Sequence, residues 1–278
     1  MKSIYSEKII EKIAEKIVEI NYQLPEEVVN KIKEAYFKEK EKYSKNYLKI
    51  ILENIKVAKE NKIPICQDTG LTIVFVEIGI NVRIEPGNYR NLDEIINKGI
   101  EKGSKKGYLR SSVVSPIERV NTKTNTPGVI HYLLSEGDKF KITIISKGFG
   151  SENVSRTKML NPSEGKEGIE EFIIETVKNA GSLPCPPIFV GVGIGGSFEK
   201  SAILSKYALT KIGKNTEYRE WEDKIIKRIN SLKIGAGGFG GDITVLDLKI
   251  ETFPTHIAGL PVSVNICCWA HRIGSFEI

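Results

Sequence analysis

The sequence predicts an α/β fold, in which an N-terminal helical layer precedes mixed or mostly parallel sheets flanked by helices. Over roughly the first sixty residues, apolar side chains recur at the spacing of amphipathic helices. After Gly70, short apolar and β-branched runs alternate with helical patterns, an order typical of α/β domains. We therefore expect a single domain over residues 1–278, with residues 1–62 as the helical layer and residues 63–278 as the α/β core.

Three helices are predicted in the N-terminal layer. The apolar residues of the first helix recur on one face: Ile9, Ile10, Ile13, Ile17 and Ile20. Pro25 followed by Glu26 and Glu27 predicts the start of the second helix, because proline lacks only a donor that would be unpaired in a first turn. The third helix is expected over residues 45–60, and residues 61–64 then end the helical layer.

Strands and helices alternate in the predicted core. The strands are compact apolar runs at residues 71–78, 141–147, 188–194 and 243–250. The helices are expected at residues 88–106, 165–180, 197–210 and 218–232. Ser197 is a candidate N-cap, because serine side chains accept hydrogen bonds from the free N–H groups of a first helical turn.

The composition excludes several classes of protein. The 278 residues are 40% hydrophobic and 27% charged, and no apolar run approaches the ~18 residues that span a bilayer. Four cysteines and an amphipathic N-terminus do not suggest a secreted disulfide scaffold. The net charge of +6 arises from lysines dispersed among glutamates, without the basic stripe of nucleic-acid-binding proteins. We therefore expect a cytoplasmic protein that binds neither nucleic acid nor membrane.

The four cysteines lie at three distant places, each in a rigid or turn-forming context. Cys66 lies in the sequence PICQDTG, Cys185 lies in LPCPP, and the pair Cys267-Cys268 precedes WAHR. Their separations match neither ferredoxin-type runs nor paired CxxC zinc motifs. Spacing alone leaves three interpretations open: a shared metal site, unrelated thiols, or a catalytic pair of a C-terminal cysteine with His256 or His271.

Glycine is concentrated in three clusters, at residues 148–151, 191–196 and 235–241. Consecutive N–H groups in such turns bind carboxylates or phosphates, and tight turns without a ligand are the alternative. Residues 191–196 depart from the G-x-G-x-x-G dinucleotide pattern, and no acidic residue ends a strand about 20 residues later. A dinucleotide-dependent oxidoreductase therefore remains only an alternative.

The contexts of these motifs resemble one known family. The motifs are PICQDTG at residues 64–70, LRSS at 109–112, KGFGSEN at 147–153, GIGG at 193–196 and the segment 256–272. They follow the order found in the class I fumarate hydratase and L-tartrate dehydratase family, and the resemblance covers nearly the whole chain. The chain is most similar to the separate α subunit of the two-chain enzymes, which corresponds to the N-terminal, cluster-binding domain of the single-chain relatives.

This resemblance implies a hydro-lyase built on a [4Fe–4S] cluster with three cysteine ligands. Cys66 and Cys185 match two ligand positions, and Cys268 matches the cysteine of the family's Cys-x-Ala-x-Arg motif. Cys267 would then be a neighbour or a small core residue. The fourth iron would bind the hydroxyl and a carboxylate oxygen of the substrate, because loss of hydroxide requires a Lewis acid. The implied reaction is the reversible dehydration of (S)-malate to fumarate.

Five further residues match family positions that contact the substrate: Gln67, Asp68, Arg110, Gly150 and His256. The resemblance implies that Asp68 and His256 act in catalysis, with Asp68 exchanging a proton with the departing hydroxyl. Arg110 would pair with a substrate carboxylate through its guanidinium fork. Structural roles remain open for three of them: a cap of an Asx-type turn for Asp68, a salt bridge for Arg110 and a hydrogen-bonded structural role for His256.

The resemblance also implies a β subunit as partner. In the single-chain relatives, a second domain supplies further arginines, a lysine and a threonine proposed as the base at C3. We expect the β subunit to supply these groups in an αβ dimer of dimers, and the α chain alone to turn over poorly. The alternatives are the α subunit of an L-tartrate dehydratase and a non-catalytic iron–sulfur assembly protein.

Overall fold

The computed structural model describes residues 2–278 of the chain. Its α-helices are α1 (Ser6–Tyr22), α2 (Glu26–Lys38), α3 (Lys42–Asn61), α4 (Leu92–Lys106), α5 (Phe149–Glu152), α6 (Gly165–Ala180), α7 (Phe198–Ala208) and α8 (Arg219–Asn230). Its strands are β1 (Lys2–Tyr5), β2 (Leu71–Gly79), β3 (Val82–Glu85), β4 (Val129–Ser135), β5 (Phe140–Lys147), β6 (Arg156–Leu160), β7 (Ile188–Gly195), β8 (Val245–Phe253), β9 (Leu260–Cys267) and β10 (Arg272–Glu277). None of the helices in the described residues combines the length and the apolar character needed to cross a membrane.

The α/β class predicted from the sequence is confirmed, and every predicted helix and strand is present with ends that differ by a few residues. The helix expected over residues 88–106 begins later, because the side chain of Asn91 accepts a hydrogen bond from Glu94 N and caps the helix there. Ser197 occupies the N-cap position of α7, but its hydroxyl donates to the Glu199 carboxylate at 2.7 Å and caps no backbone N–H.

Several strands are not predicted by the sequence pattern, namely β1, β3, β4, β6, β9 and β10. They are short or carry polar residues, proline or glycine where an apolar pattern would have marked a strand. In β9, the buried Ser263 hydroxyl lies 2.8 Å from Thr157 Oγ1 and 2.7 Å from Ser201 Oγ. The hydrogen-bond partners of this polar side chain are therefore distant in sequence, and no local sequence pattern identifies them.

The chain divides into two compact units, each built from non-contiguous segments. The first unit comprises the described residues up to Pro25, Asn54–Gly148 and Arg272–Ile278. The second unit comprises Glu26–Glu53 and Phe149–His271. Residues near the two ends of the sequence therefore belong to the same unit.

The first unit contains a four-stranded mixed sheet in the order β10-β5-β2-β4 and a small parallel pair, β1-β3. β2 runs parallel to β4 and antiparallel to β5. The helices α1 and α4 pack closely at Gly99. A Cβ on this residue would lie only 2.7 Å from Ile13 Cβ, so the absence of a side chain permits the approach. Apolar side chains from these two helices and from the sheet form a core that includes Ile17, Val74 and Ile142. This sheet fixes the start of β2, which directly follows residues 66–70.

The second unit contains a four-stranded mixed sheet in the order β6-β9-β7-β8. β7 runs parallel to β8 and antiparallel to β9. Apolar residues of α6 and α8 pack on this sheet and form a second core, which includes Ile173, Val190 and Ile225. The loop that contains Cys185 leads into β7, and β9 ends at Cys267. The sheet therefore positions all three cysteines of this unit.

The two sheets share one pattern of strand directions. In each, a central strand has a parallel neighbour on one side and an antiparallel neighbour on the other, followed by a further antiparallel strand at the edge. The parallel neighbour follows a helical crossover in both units, by α4 in the first and by α7 and α8 in the second. The sequence shows no repeat that would predict this similarity.

The glycines of β7 allow α7 to approach the strand backbone. A Cβ at Gly191 would lie 2.1 Å from Ser205 O, and a Cβ at Gly193 would lie 2.0 Å from Ser201 O. No side chain fits at these distances, so the helix and the strand pack backbone to backbone. This packing explains the cluster at residues 191–196 without a dinucleotide.

The cluster at residues 235–241 surrounds a carboxylate of the protein itself. Glu39 is buried and accepts hydrogen bonds from the backbone N–H groups of Lys40, Glu41, Asp242 and Ile243 at 2.8–3.1 Å. Backbone N–H groups that converge in this way bind anions. The predicted anion-binding turn therefore holds an internal side chain.

Replacing Gly193 with alanine should destabilise the protein, because the new methyl group would overlap the α7 backbone at Ser201 O. Overpacking of this kind costs about 1–3 kcal/mol of unfolding free energy. Gly259→Ala is the matched control, since its Cβ would meet its nearest neighbours at 3.9 and 4.0 Å. Equal urea midpoints for the two variants would contradict the close packing of α7 on β7.

Candidate active site

The residues predicted for the site lie in both units. Cys66, Gln67, Asp68 and Arg110 belong to the first unit. The second unit contains the rest of the set: Gly150, Cys185, His256, Cys267 and Cys268.

The segment that carries Cys66 connects α3 to β2 and is anchored immediately before the cysteine. Ile65 is buried, and its N–H donates to Asn21 O at 2.9 Å. Its carbonyl accepts a hydrogen bond from Asn54 Nδ2 at 2.9 Å. Cys66 itself is partly buried and Gln67 is exposed. The backbone of the segment is therefore fixed while the two side chains that follow remain accessible.

Asp68 forms the turn that the sequence suggested as its structural role. Its Oδ1 atom accepts a hydrogen bond from Gly70 N at 2.9 Å, as in an Asx turn. Gly70 has a φ of 71°, and a Cβ there would lie 2.5 Å from Lys147 O, so only glycine fits. The second oxygen, Oδ2, lies on the side of Gly148, 3.1 Å from the position that a Cβ on that glycine would take. One oxygen of Asp68 thus shapes the turn, and the other faces the backbone of Gly148.

Arg110 is held beside this turn by its own backbone carbonyl. That oxygen accepts hydrogen bonds from Thr69 Oγ1 at 2.7 Å and from Asn125 Nδ2 at 3.1 Å. Asn125 also accepts from Ser112 N at 2.7 Å, which closes a small network. The side chain of Arg110 is exposed, and within residues 2–278 its guanidinium has no salt bridge. The structure therefore fixes the main chain of Arg110 and leaves its side chain accessible.

Thr69 and Asn125 were missed by sequence reasoning. Thr69 lies inside the PICQDTG motif and is buried, so its position next to Asp68 was a signal that could have been used. Asn125 has a φ of 57°, a conformation that asparagine tolerates better than most residues. Nothing in the sequence connects it to Arg110.

Cys185 is exposed at a sharp turn between α6 and β7. Its φ of 53° is unusual for a residue with a side chain, and the neighbouring Pro184 and Pro186 are buried. Gly237 N donates to Pro186 O at 2.7 Å, and Gly238 lies so close to Ser182 that a Cβ would approach its side chain to 2.4 Å. The glycine cluster that holds Glu39 therefore also supports the Cys185 turn.

Gly150 lies near this turn. It is an exposed residue of the short helix α5, and its Cβ position is 3.8 Å from Leu183 O. The structure thus brings Gly150 and the Cys185 turn together within the second unit.

The two adjacent cysteines have different environments. Cys267 is 2% exposed, and its Sγ lies 3.4 Å from His271 Nδ1. His271 is also buried, and its Nε2 lies 2.9 Å from Leu209 O. Because a carbonyl only accepts, Nε2 carries a proton, and Nδ1 of a neutral ring therefore accepts from the Cys267 thiol. Cys268 is partly buried. The contact between Cys267 and His271 is thus inside the core, where a nucleophile would have no access to a substrate.

His256 lies on an exposed loop after β8. Its Nδ1 accepts a hydrogen bond from Ala258 N at 3.2 Å, so a neutral ring carries its proton on Nε2. Thr255 Oγ1 donates to Gly196 O at 2.8 Å and fixes the loop to the end of β7. His256 also borders an open cleft of about 1120 Å³ in the second unit, together with Tyr218. Its ring is therefore oriented, accessible and able to donate one hydrogen bond.

Metal ligation requires several donor side chains that converge on one point. Within residues 2–278, no group of three or more histidine, cysteine, aspartate or glutamate side chains is arranged to hold a metal ion. Cys66 and Cys268 are partly exposed and Cys185 is exposed, whereas Cys267 is buried in contact with a histidine. Accessible thiols are the donor type that iron–sulfur clusters require. The donor chemistry therefore fits such a cluster.

Comparison with known proteins connects these features to one family. The family model for fumarate hydratase (Fumerase) matches residues 10–277. A protein of Methanocaldococcus jannaschii, provisionally named L(+)-tartrate dehydratase subunit alpha, is 45% identical over 274 residues, which cover 95% of each chain. The L(+)-tartrate dehydratase subunit alpha of Escherichia coli K12 is 32% identical over 279 residues, which cover 98% of this chain and 91% of the relative. With a family model that spans nearly its whole length, the chain belongs to the class I fumarate hydratase and L-tartrate dehydratase family of hydro-lyases.

Proposed function

We propose that the chain is the α subunit of an iron–sulfur-dependent hydro-lyase that interconverts (S)-malate and fumarate. The observation that carries the proposal is the fumarate hydratase model, which matches residues 10–277 and includes every predicted site residue. The names of the relatives favour a second candidate, the dehydration of L(+)-tartrate. Both substrates are dicarboxylates that lose a hydroxyl group, so the same groups of this chain would serve either reaction.

Cys66, Cys185 and Cys268 are the proposed ligands of a [4Fe–4S] cluster. The accessibility of these thiols supports the choice, as does the contact of Cys267 with His271 in the core. When bound, such a cluster supplies an open iron site that acts as a Lewis acid on the leaving hydroxyl. Cys267 is assigned a packing role.

The side chains of the first unit bind and orient the substrate in this proposal. Arg110 offers an accessible guanidinium that can form two parallel hydrogen bonds to a carboxylate. Gln67 is exposed between Cys66 and Asp68 and provides an amide donor. Asp68 exchanges a proton with the departing hydroxyl, while its Oδ1 atom keeps the turn closed through Gly70 N.

The second unit contributes further donors. His256 carries a proton on Nε2 because Nδ1 accepts from Ala258 N, so the ring can donate to a substrate oxygen and act in catalysis. Gly150 lies on the exposed face of α5, where the absence of a side chain permits close approach. These roles follow from the family resemblance and agree with the accessibility of both residues.

A β subunit completes the proposed enzyme. The relatives are named as alpha subunits, which implies a second type of subunit. We assign to it the base at C3 and the remaining carboxylate-binding cations, in a cytoplasmic αβ dimer of dimers. The α chain by itself would then bind the cluster and part of the substrate without efficient turnover.

Mixing the reconstituted α chain with its β subunit should produce a malate dehydratase that neither chain provides alone. The assay runs anaerobically on three parallel substrates: fumarate absorbance follows fumarate and (S)-malate, and formation of the keto acid oxaloacetate follows L(+)-tartrate. The highest kcat/KM should be obtained with the malate–fumarate pair. A higher value with tartrate would establish the second candidate, and no turnover of any of the three would refute the proposed function.

Serine substitutions should identify the cluster ligands. Cys66→Ser, Cys185→Ser and Cys268→Ser are each expected to abolish the broad visible absorption of anaerobically reconstituted protein, because serine is a poor iron ligand. Cys267→Ser is the matched control and should retain the absorption. Loss of the absorption in Cys267→Ser with retention in Cys268→Ser would reverse the assignment.

Removing the Thr69 hydroxyl should weaken substrate binding, because it holds the Arg110 carbonyl. Thr69→Val is expected to raise KM about tenfold, which corresponds to roughly 1.4 kcal/mol, with a smaller effect on kcat. Thr72→Val makes the same change three residues later in β2 and serves as the control. Similar KM values for the two variants would show that the hydrogen bond to Arg110 has no part in binding.

A further inference from the structure

Arg272 is a charged residue inside the first unit. It is 2% exposed and opens β10, where it pairs with Ser146 of β5. Burial of a guanidinium is costly unless hydrogen bonds and an opposite charge compensate it. The site residues transferred by family resemblance do not include it.

The contacts of Arg272 leave its charge incompletely compensated. Nη1 donates to Asn21 Oδ1 at 3.1 Å, which is a neutral acceptor. Nε is buried and has no hydrogen-bond partner within residues 2–278. Over the same residues, no carboxylate forms a salt bridge with the guanidinium. A buried cation of this kind attracts the nearest carboxylate strongly, because the low dielectric screens the charge only weakly.

The carboxylate on this side of Arg272 is that of Asp68. Both groups face Gly148: the point where its Cβ would lie is 3.6 Å from Arg272 Nη2 and 3.1 Å from Asp68 Oδ2. A side chain at residue 148 would occupy the space that the two charged groups share. Asp68 Oδ1 accepts the hydrogen bond from Gly70 N, and Asp68 Oδ2 therefore faces the guanidinium across Gly148.

The position of Arg272 is itself well defined. Asn21 is fully buried, and its Nδ2 donates to Ile17 O at 2.9 Å and to Ser146 Oγ at 3.1 Å. These bonds orient its Oδ1 toward Arg272. The backbone carbonyl of Asn21 also accepts from Ile65 N, next to Cys66. One buried residue therefore fixes both the guanidinium and the segment that carries Asp68.

We propose that Arg272 is a positioning residue for Asp68. Its guanidinium attracts Oδ2 toward Gly148 while Gly70 N holds Oδ1, and the two together favour one orientation of the carboxylate. Arg272 does not contact the substrate in this assignment. Its effect on turnover rests on the proposed function, in which Asp68 exchanges a proton with the hydroxyl group, whereas its effect on the geometry of Asp68 does not.

Amide hydrogen exchange of the α chain tests the geometry without any activity. The Gly70 N–H donates to Asp68 Oδ1, and the Gly128 N–H donates to Asn97 Oδ1, both at 2.9 Å. In Arg272→Gln, exchange at Gly70 should accelerate about tenfold more than exchange at Gly128, because Asp68 loses its orientation and the Gly70 N–H opens locally. Global destabilisation alone would instead affect both amides. Arg272→Lys retains the charge and should restore most of the Gly70 protection. Equal changes at the two amides, or no change at Gly70, would overturn the proposal.

Kinetics of the reconstituted αβ enzyme test the consequence. Arg272→Gln should lower kcat more than tenfold and change KM less than threefold, with partial recovery in Arg272→Lys. Ser146→Ala is the matched control, since it removes one bond of the same buried network but keeps Arg272 and Asp68. A kcat loss in Ser146→Ala equal to that in Arg272→Gln would assign Arg272 a purely structural role. An inactive wild-type enzyme would refute the proposed function alone, because the exchange experiment still decides the position of Asp68.

Discussion

The hydrogen bonds of Asn21 are the constraint on which the candidate site of the first unit depends. Its buried carboxamide joins α1, β5 and Arg272, and its backbone carbonyl holds Ile65, the residue before Cys66. A buried polar group that loses its hydrogen-bond partner lowers the stability of the fold by about 1–3 kcal/mol. Breaking any one of these contacts is therefore costly. The position of the segment with Cys66 and Asp68 thus depends on a residue of α1, which lies well before it in the sequence.

The second unit uses a buried carboxylate to a similar end. Glu39 accepts hydrogen bonds from the N–H groups of Lys40 and Glu41, in the connection between α2 and α3, and from those of residues 242–243. The glycines next to these residues then support the turn at Cys185 through Gly237 and Gly238. Both cysteine loops described here are therefore held by polar side chains or backbone groups that face inward, while the thiols stay accessible.

The sequence predicted the elements whose apolar pattern is strong and local, such as α1, β2 and β7, and the family resemblance supplied the candidate site residues. What holds those residues could not be predicted. The contact of Arg272 with Asn21 spans 251 positions, and that of Thr69 with the Arg110 carbonyl spans 41. Such pairs form because the tertiary fold brings them together, and a single sequence contains no local trace of them.

The place of β10 in the first unit has a consequence for biosynthesis. A ribosome releases the strands of this sheet in the order β2, β4, β5 and, much later, β10, after the whole second unit. Domains generally fold as they emerge, N-terminal parts first. Here the outer edge of β5 and the Oδ1 atom of Asn21 have no partner until β10 has been synthesised. The nascent protein therefore exposes an unpaired strand edge until β10 has emerged from the ribosome, a stage at which a chaperone would protect it from aggregation.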